Sequence, residues 1–223
     1  AVSAINYASR LTQFPQSILI TAVTTVIYPI LSRKEAENDH ESIKGLYGKG
    51  LHYLLLLLGP VTIFTYFYAE NLVQIVFEYG KFGAGDTAIT APVVAVFALS
   101  MFFLAVNTYV TRFYYAKGDS MAPVVLSIFN VFIVNIGIMY VMVQNGFGVE
   151  SIAWGTVISS IINTVMLVVY AAFKYDLKLG ASLNKIELLK PIIPFIVLTC
   201  IMYISSKYFA FGYKWITFIV GTT

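Results

Sequence analysis

Apolar residues gather into runs long enough to cross a bilayer, and polar residues gather between them. The runs cover about Phe14 to Leu31, Leu46 to Tyr68, Ala88 to Ala116, Ala122 to Val143, Ile152 to Phe173 and Leu188 to Ser206. A seventh starts near Trp215. A helix needs roughly 20 mostly apolar residues to span the hydrocarbon. Backbone amides cannot stay unpaired in lipid, so open spans must be helices. The alternation expected of barrel strands is missing. Residues 1–10 read as the end of an earlier helix and a turn. The spacing in Glu70–Phe77 predicts a short helix lying in the outer interface. Pro29, Pro60, Pro92 and Pro194 fall in or near spans, where membrane helices tolerate proline as a local bend.

The expected fold is an all-α polytopic bundle. Composition agrees: 59% of the 223 residues are hydrophobic and 11% charged, against about 25% charged in soluble domains. Such a chain has too little polar surface to cover one soluble core. The loops alternate in basic content. One set carries Arg33, Lys34, Lys44, Lys49, Arg112, Lys117, Lys174, Lys178, Lys185 and Lys190, the other Lys81, Lys207 and Lys214. By the positive-inside rule the first set is cytoplasmic. The chain starts without Met and stops inside an apolar run, which reads as a fragment cut at both ends. The single cysteine, Cys200, excludes a disulfide framework and is expected to be a buried, inert hydrophobe.

The motifs of soluble enzymes are missing. There is no phosphate-binding loop, dinucleotide fingerprint or His-Glu-x-x-His, and no Ser-x-x-Lys or Gly-x-Ser-x-Gly. His40, in a polar loop, and His52, near a span end, are too separated to suggest a ligand pair. Glu35, Glu37, Asp39 and Glu41 make a solvated loop. Arg10 stands out, because it opens a span with Asn6 and Gln13 about one turn away on either side. A cation at the bilayer centre costs about 2.5–3.5 kcal/mol, so it faces a cavity or partner. A guanidinium suits phosphate through paired hydrogen bonds. Snorkelling to the outer headgroups is the other reading. Arg112, near the cytoplasmic end of its span, reads as a snorkelling residue. Asn107, Asn130, Asn135, Thr156 and Asn163 are expected to hydrogen-bond neighbouring helices, or else to line a solute path.

Three ordered stretches carry a resemblance. They are Asn6–Pro15 with Tyr28-Pro29-Ile30-Leu31-Ser32, then Val76–Thr87, then Phe113–Pro123. Together they resemble the second lobe of the MurJ/MviN family of bacterial lipid II flippases, over roughly residues 1–175. The resemblance implies a MATE-like fold of two six-helix lobes plus two extra helices. Residues 1–175 would be the second lobe, lacking its start, and 176–223 would belong to the additional helices. It implies a multi-pass protein of the bacterial cytoplasmic membrane, not an enzyme. The cargo would be undecaprenyl-pyrophosphate-linked peptidoglycan precursor, moved by alternating access around a cationic cavity.

The family's cavity arginine falls on Arg10, a serine near the end of its helix seven on Ser3, and a polar cavity position on Gln13. Asn6 joins them as a substrate-binding candidate. Some members bind sodium, and Thr156 and Asn135 match two of its ligands, but Met139 stands where a carboxylate is expected. Sodium or proton coupling is open and no other cofactor is expected. The expected partners are lipid II, membrane lipids and the missing first lobe, with no nucleic acid. Two rival readings are a flippase for another lipid-linked oligosaccharide and a non-transporting membrane scaffold.

Overall fold

The computed structural model describes residues 2–146, 150–177 and 191–220, and among these no strand occurs. The helices are α1 (Val2–Ala36), α2 (His40–Phe67), α3 (Ala69–Phe77), α4 (Ala84–Ala116), α5 (Met121–Gln144), α6 (Glu150–Tyr175) and α7 (Ile192–Val220). Five of them, all but α3 and α7, are long and apolar enough to cross a membrane. Within α7, Ile192–Lys207 forms a shorter apolar stretch. The start of the expected sixth span, 188–190, lies outside the described residues, as do Lys178, Lys185 and Lys190.

Three expectations are corrected here. α1 is continuous through residues 2–10, where an earlier helix and a turn were expected. The polar cluster there marks an exposed face and not a chain reversal. α7 is likewise continuous to Val220, so no separate span begins near Trp215. Cys200 is exposed, because it lies on the outward face of α7. In a membrane protein an apolar residue has no need to turn inward, since lipid solvates it as well as a core does. The short helix expected around Glu70–Phe77 is present as α3, with Val73 buried and Ile75 and Val76 exposed.

Local chemistry explains the ends. Arg33 and Lys34 sit in the last turn of α1, where a cation meets the negative end of the helix dipole. Asp39 caps α2: its Oδ1 accepts from the Ser42 amide at 3.1 Å. His40 is therefore the first residue of α2 and not part of a loop. Asp86 Oδ2 accepts from the Gly83 amide at 3.2 Å at the start of α4. Gly118, at φ +71°, reverses the chain after α4, and Asp119 N–H returns to Tyr114 O at 2.9 Å.

The core is built around α4, which packs against α1, α2, α3 and α6. Buried residues make up 61% of its apolar window, against 6% for α5. Tyrosines tie the interior of the cytoplasmic half. Tyr109 Oη donates to Leu46 O of α2 and Tyr114 Oη donates to Leu167 O of α6, both at 2.7 Å. Gly50 lets Tyr109 approach the α2 backbone. At the same end, Lys117 pairs with Glu35 at 2.7 Å, Lys174 with Asp119 at 2.7 Å, and Lys44 with Asp176 at 2.8 Å. Members of the basic loop set thus meet on one side of the bundle, as their proposed cytoplasmic location requires.

Candidate polar path along the first helix

Ser3, Asn6, Arg10 and Gln13 follow one another at spacings of three, four and three. At 3.6 residues per turn they fall within an arc of about 80° on α1. All four are exposed. The opposite face carries Ala4, Ala8 and Thr12, all buried, with Ala8 fully covered. Small residues there let α1 lie close against the bundle, so packing fixes which face of α1 is turned outward. Ser17 and Thr21 continue the outward stripe at spacings of four, and both are exposed. Hydroxyls recurring every four residues after Gln13 were the signal for them in the sequence.

Arg10 makes no ion pair among the described residues. Beside it, Gln13 Nε2 donates to Ser9 Oγ at 2.7 Å. That contact holds the amide along the helix and leaves its oxygen free to accept. Eighteen residues beyond Arg10, about 27 Å along the axis and on the same face, is Tyr28. Arg112 of α4 lies over its ring, 5.8 Å from the centroid. Arg112 is exposed near the cytoplasmic end of its span, where the sequence reading placed a snorkelling residue.

The polar residues of the other spans divide. Asn107 Oδ1 accepts from Thr164 Oγ1 at 2.8 Å, joining α4 to α6. Asn130 Nδ2 donates to Ser159 Oγ at 2.8 Å, joining α5 to α6. Those two make the interhelical bonds expected of them. Thr156 does not, since its hydroxyl donates to Ile152 O of its own helix at 2.9 Å. Asn135 and Asn163 have buried amide oxygens without a partner. Between Asn130 and Asn135, α5 is wound as a π-helix. Nothing in the local sequence marks this widened turn.

Asn135 Oδ1, an orphaned acceptor, suits a cation. Yet among the described residues no cluster of acids, histidines or cysteine able to hold a metal occurs.

Comparison with known proteins decides the family. The family model described as lipid II flippase MurJ matches residues 1–222. The chain belongs to the MurJ family. Among curated members of that family, a probable lipid II flippase MurJ from Rickettsia prowazekii is 29% identical over 184 residues, covering 82% of this chain and 36% of its own length. The lipid II flippase MurJ of Burkholderia cenocepacia is 33% identical over 128 residues, covering 57% of this chain and 25% of its own. A probable lipid II flippase MurJ from Borreliella burgdorferi is 25% identical across 99% of this chain and 44% of its own length. The chain therefore spans less than half the length of the curated MurJ relatives it matches. A solved structure of lipid II flippase MurJ in its inward closed conformation superposes with a TM-score of 0.68 at 22% identity, covering 95% of this chain and 47% of that one. The fold is thus that of the solved MurJ structure, an all-helical bundle, and the chain is a multi-pass protein of the bacterial cytoplasmic membrane.

Proposed function

We propose that this chain is the second-lobe portion of a flippase that moves a lipid-linked pyrophosphate, lipid II, between the two leaflets. Residues 1–175 act as that lobe and 176–223 belong to its additional helices. The observation that carries the reading is Arg10, a cation on a membrane-spanning helix with no ion pair among the described residues, centred on an exposed polar stripe.

A pyrophosphate entering hydrocarbon loses its hydration. The Arg10 guanidinium replaces part of that hydration with a charge and paired donors. Asn6, Gln13, Ser3, Ser17 and Thr21 extend the hydrogen-bonding surface along α1. The prenyl chain of the cargo needs no path, since it stays in lipid. The face of α1 opposite the stripe is packed, through Ala8, against Val73, Val93, Val94 and Phe97, all buried. The lobe therefore moves as a body, and alternating access comes from its motion against a partner lobe. No covalent step is required of any residue, so the activity is transport and not catalysis. Its partners are the cargo, the surrounding lipids and the other lobe.

The test is rescue of cells depleted of their own flippase by the complete gene product carrying Arg10→Ala or Arg10→Lys. Membrane abundance is followed in parallel. Charge-assisted hydrogen bonds contribute about 1.5–3 kcal/mol, so Arg10→Ala is expected to weaken cargo binding roughly 10- to 150-fold and to fail to rescue. Arg10→Lys keeps the charge without the fork and is expected to rescue in part. Full rescue by Arg10→Ala at normal abundance would remove Arg10 from the path.

A further inference from the structure

At the outer end of α1 the polar stripe runs into a pocket of about 280 Å³. Its walls come from α1 (Ser3, Tyr7), from the loop between α3 and α4 (Lys81) and from the first turns of α4 (Asp86, Thr90). Resting on the flippase reading, we propose that this pocket is a second station that takes one sugar ring of the cargo's headgroup.

The chemistry of the walls selects the ligand. Tyr7 is a braced aromatic surface, with its ring centroid 4.9 Å from that of Phe77 and 5.3 Å from that of Phe82, the latter edge-on. It remains 36% exposed. The Lys81 ammonium makes no ion pair among the described residues. Asp86 spends one oxygen on the Gly83 amide and keeps the other. Thr90, 1% exposed, places a hydroxyl-bearing side chain in the pocket wall.

An inorganic anion would meet the Asp86 carboxylate in the same wall as Lys81. An apolar chain would strand Lys81, Asp86 and Thr90. A pyranose ring offers hydroxyls that both donate and accept, and an apolar C–H face for Tyr7. Ligand pockets for larger molecules run to about 300–1,000 Å³, so this volume fits one ring and not a whole headgroup. Ser3 belongs to both the stripe and the pocket. It lies seven residues, about 10 Å, from Arg10, a reach that a couple of sugar rings cover. A headgroup with its pyrophosphate at Arg10 can therefore set a ring in the pocket.

The probe is the water-soluble N-acetylglucosamine–N-acetylmuramic acid disaccharide, free of lipid and phosphate. It is titrated against the complete gene product in nanodiscs, with saturation-transfer NMR as the readout. Binding is expected in the wild type and in Arg10→Ala, and about 30-fold weaker in Lys81→Ala/Thr90→Val, the change for two lost hydrogen bonds. Thr90→Ser keeps the hydroxyl and is expected to keep binding, which separates a lost ligand contact from a folding defect. The proposal is overturned by no transfer in the wild type, by undiminished binding in the double variant, by loss of binding in Thr90→Ser, or by loss in Arg10→Ala. Full rescue of cells by Arg10→Ala would sink the flippase reading while leaving this sugar measurement standing.

Discussion

Gly50→Ala is expected to be among the most damaging single-methyl additions to the helix interior. A Cβ at Gly50 would fall inside van der Waals contact of Tyr109 Oη and Cζ, and 2.8 Å from Cε2. Tyr109 cannot swing aside freely, because it is 1% exposed, edge-packed on Phe113 at 5.1 Å between centroids, and bonded to Leu46 O. Overpacking of this kind costs about 1–3 kcal/mol, and loss of the tyrosine hydrogen bond adds about 1 kcal/mol. The sum is about 2–4 kcal/mol. Tyr109→Phe alone forfeits only the hydrogen bond, about 1 kcal/mol. In the double variant that bond is lost once and not twice, so the pair falls short of additivity by about 1 kcal/mol. Rescue stays partial, because Cζ and Cε2 still crowd the new methyl. The assay is reversible unfolding of the complete gene product by steric trapping in bicelles, for both single variants and the double. A Gly50→Ala cost below about 0.5 kcal/mol, or strict additivity, would refute the proposed close approach of α2 and α4.

Two further outcomes follow from other contacts. Hydrogen bonds from Lys174, Tyr175 and the Ala122 amide hold the Asp119 carboxyl down to about 2. A carboxyl depressed in the fold stabilises above its ordinary value near 3.8 and loses that contribution as pH falls toward 2. Thermal stability is therefore expected to drop between about pH 4 and 2, with a shallower slope in Asp119→Asn. An equal slope in the variant would place the acid sensitivity elsewhere. A double-mutant cycle on Asn130→Ala and Ser159→Ala is expected to return a coupling near 0.6 kcal/mol, the average for interhelical hydrogen bonds in a membrane protein. Zero coupling would mean that the amide–hydroxyl bond between α5 and α6 adds nothing.

The spans were legible because lipid imposes a length and a composition on each of them, and Leu54–Leu58 or Val93–Phe103 can satisfy neither in water. Sidedness was legible too, since Lys44, Lys117 and Lys174 do converge with their acids at one end. Arg10 was visible as a charge where charge is costly. Register and direction were harder to read. Asn6-Tyr7-Ala8-Ser9-Arg10 looked like a turn because polar residues also populate turns, and only the packing of Ala4 and Ala8 shows that they cover one side of a continuous helix. Thr156 and Asn130 are both polar residues in spans, but a threonine in a helix can reach its own carbonyl four residues back and an asparagine amide here reaches across. Cys200 illustrates the reverse failure, since in lipid an apolar side chain carries no information about which way it points.

The two faces of α1 also constrain how the lobe can work. One face is closed by Ala4 and Ala8 against the bundle, and the other carries Arg10, which makes no ion pair among the described residues. If α1 rotated to present Arg10 inward, the guanidinium would enter a wall of Val93, Val94 and Phe97, all buried. That wall offers no acid, and burying an unpaired cation costs several kcal/mol. Sliding α1 past α4 would part Glu35 from Lys117, a pair whose side chains are only 25% and 11% exposed. Both local motions are therefore dearer than carrying the lobe as a unit. The charge stays fixed on its helix, and access to it must change through what covers the outward face.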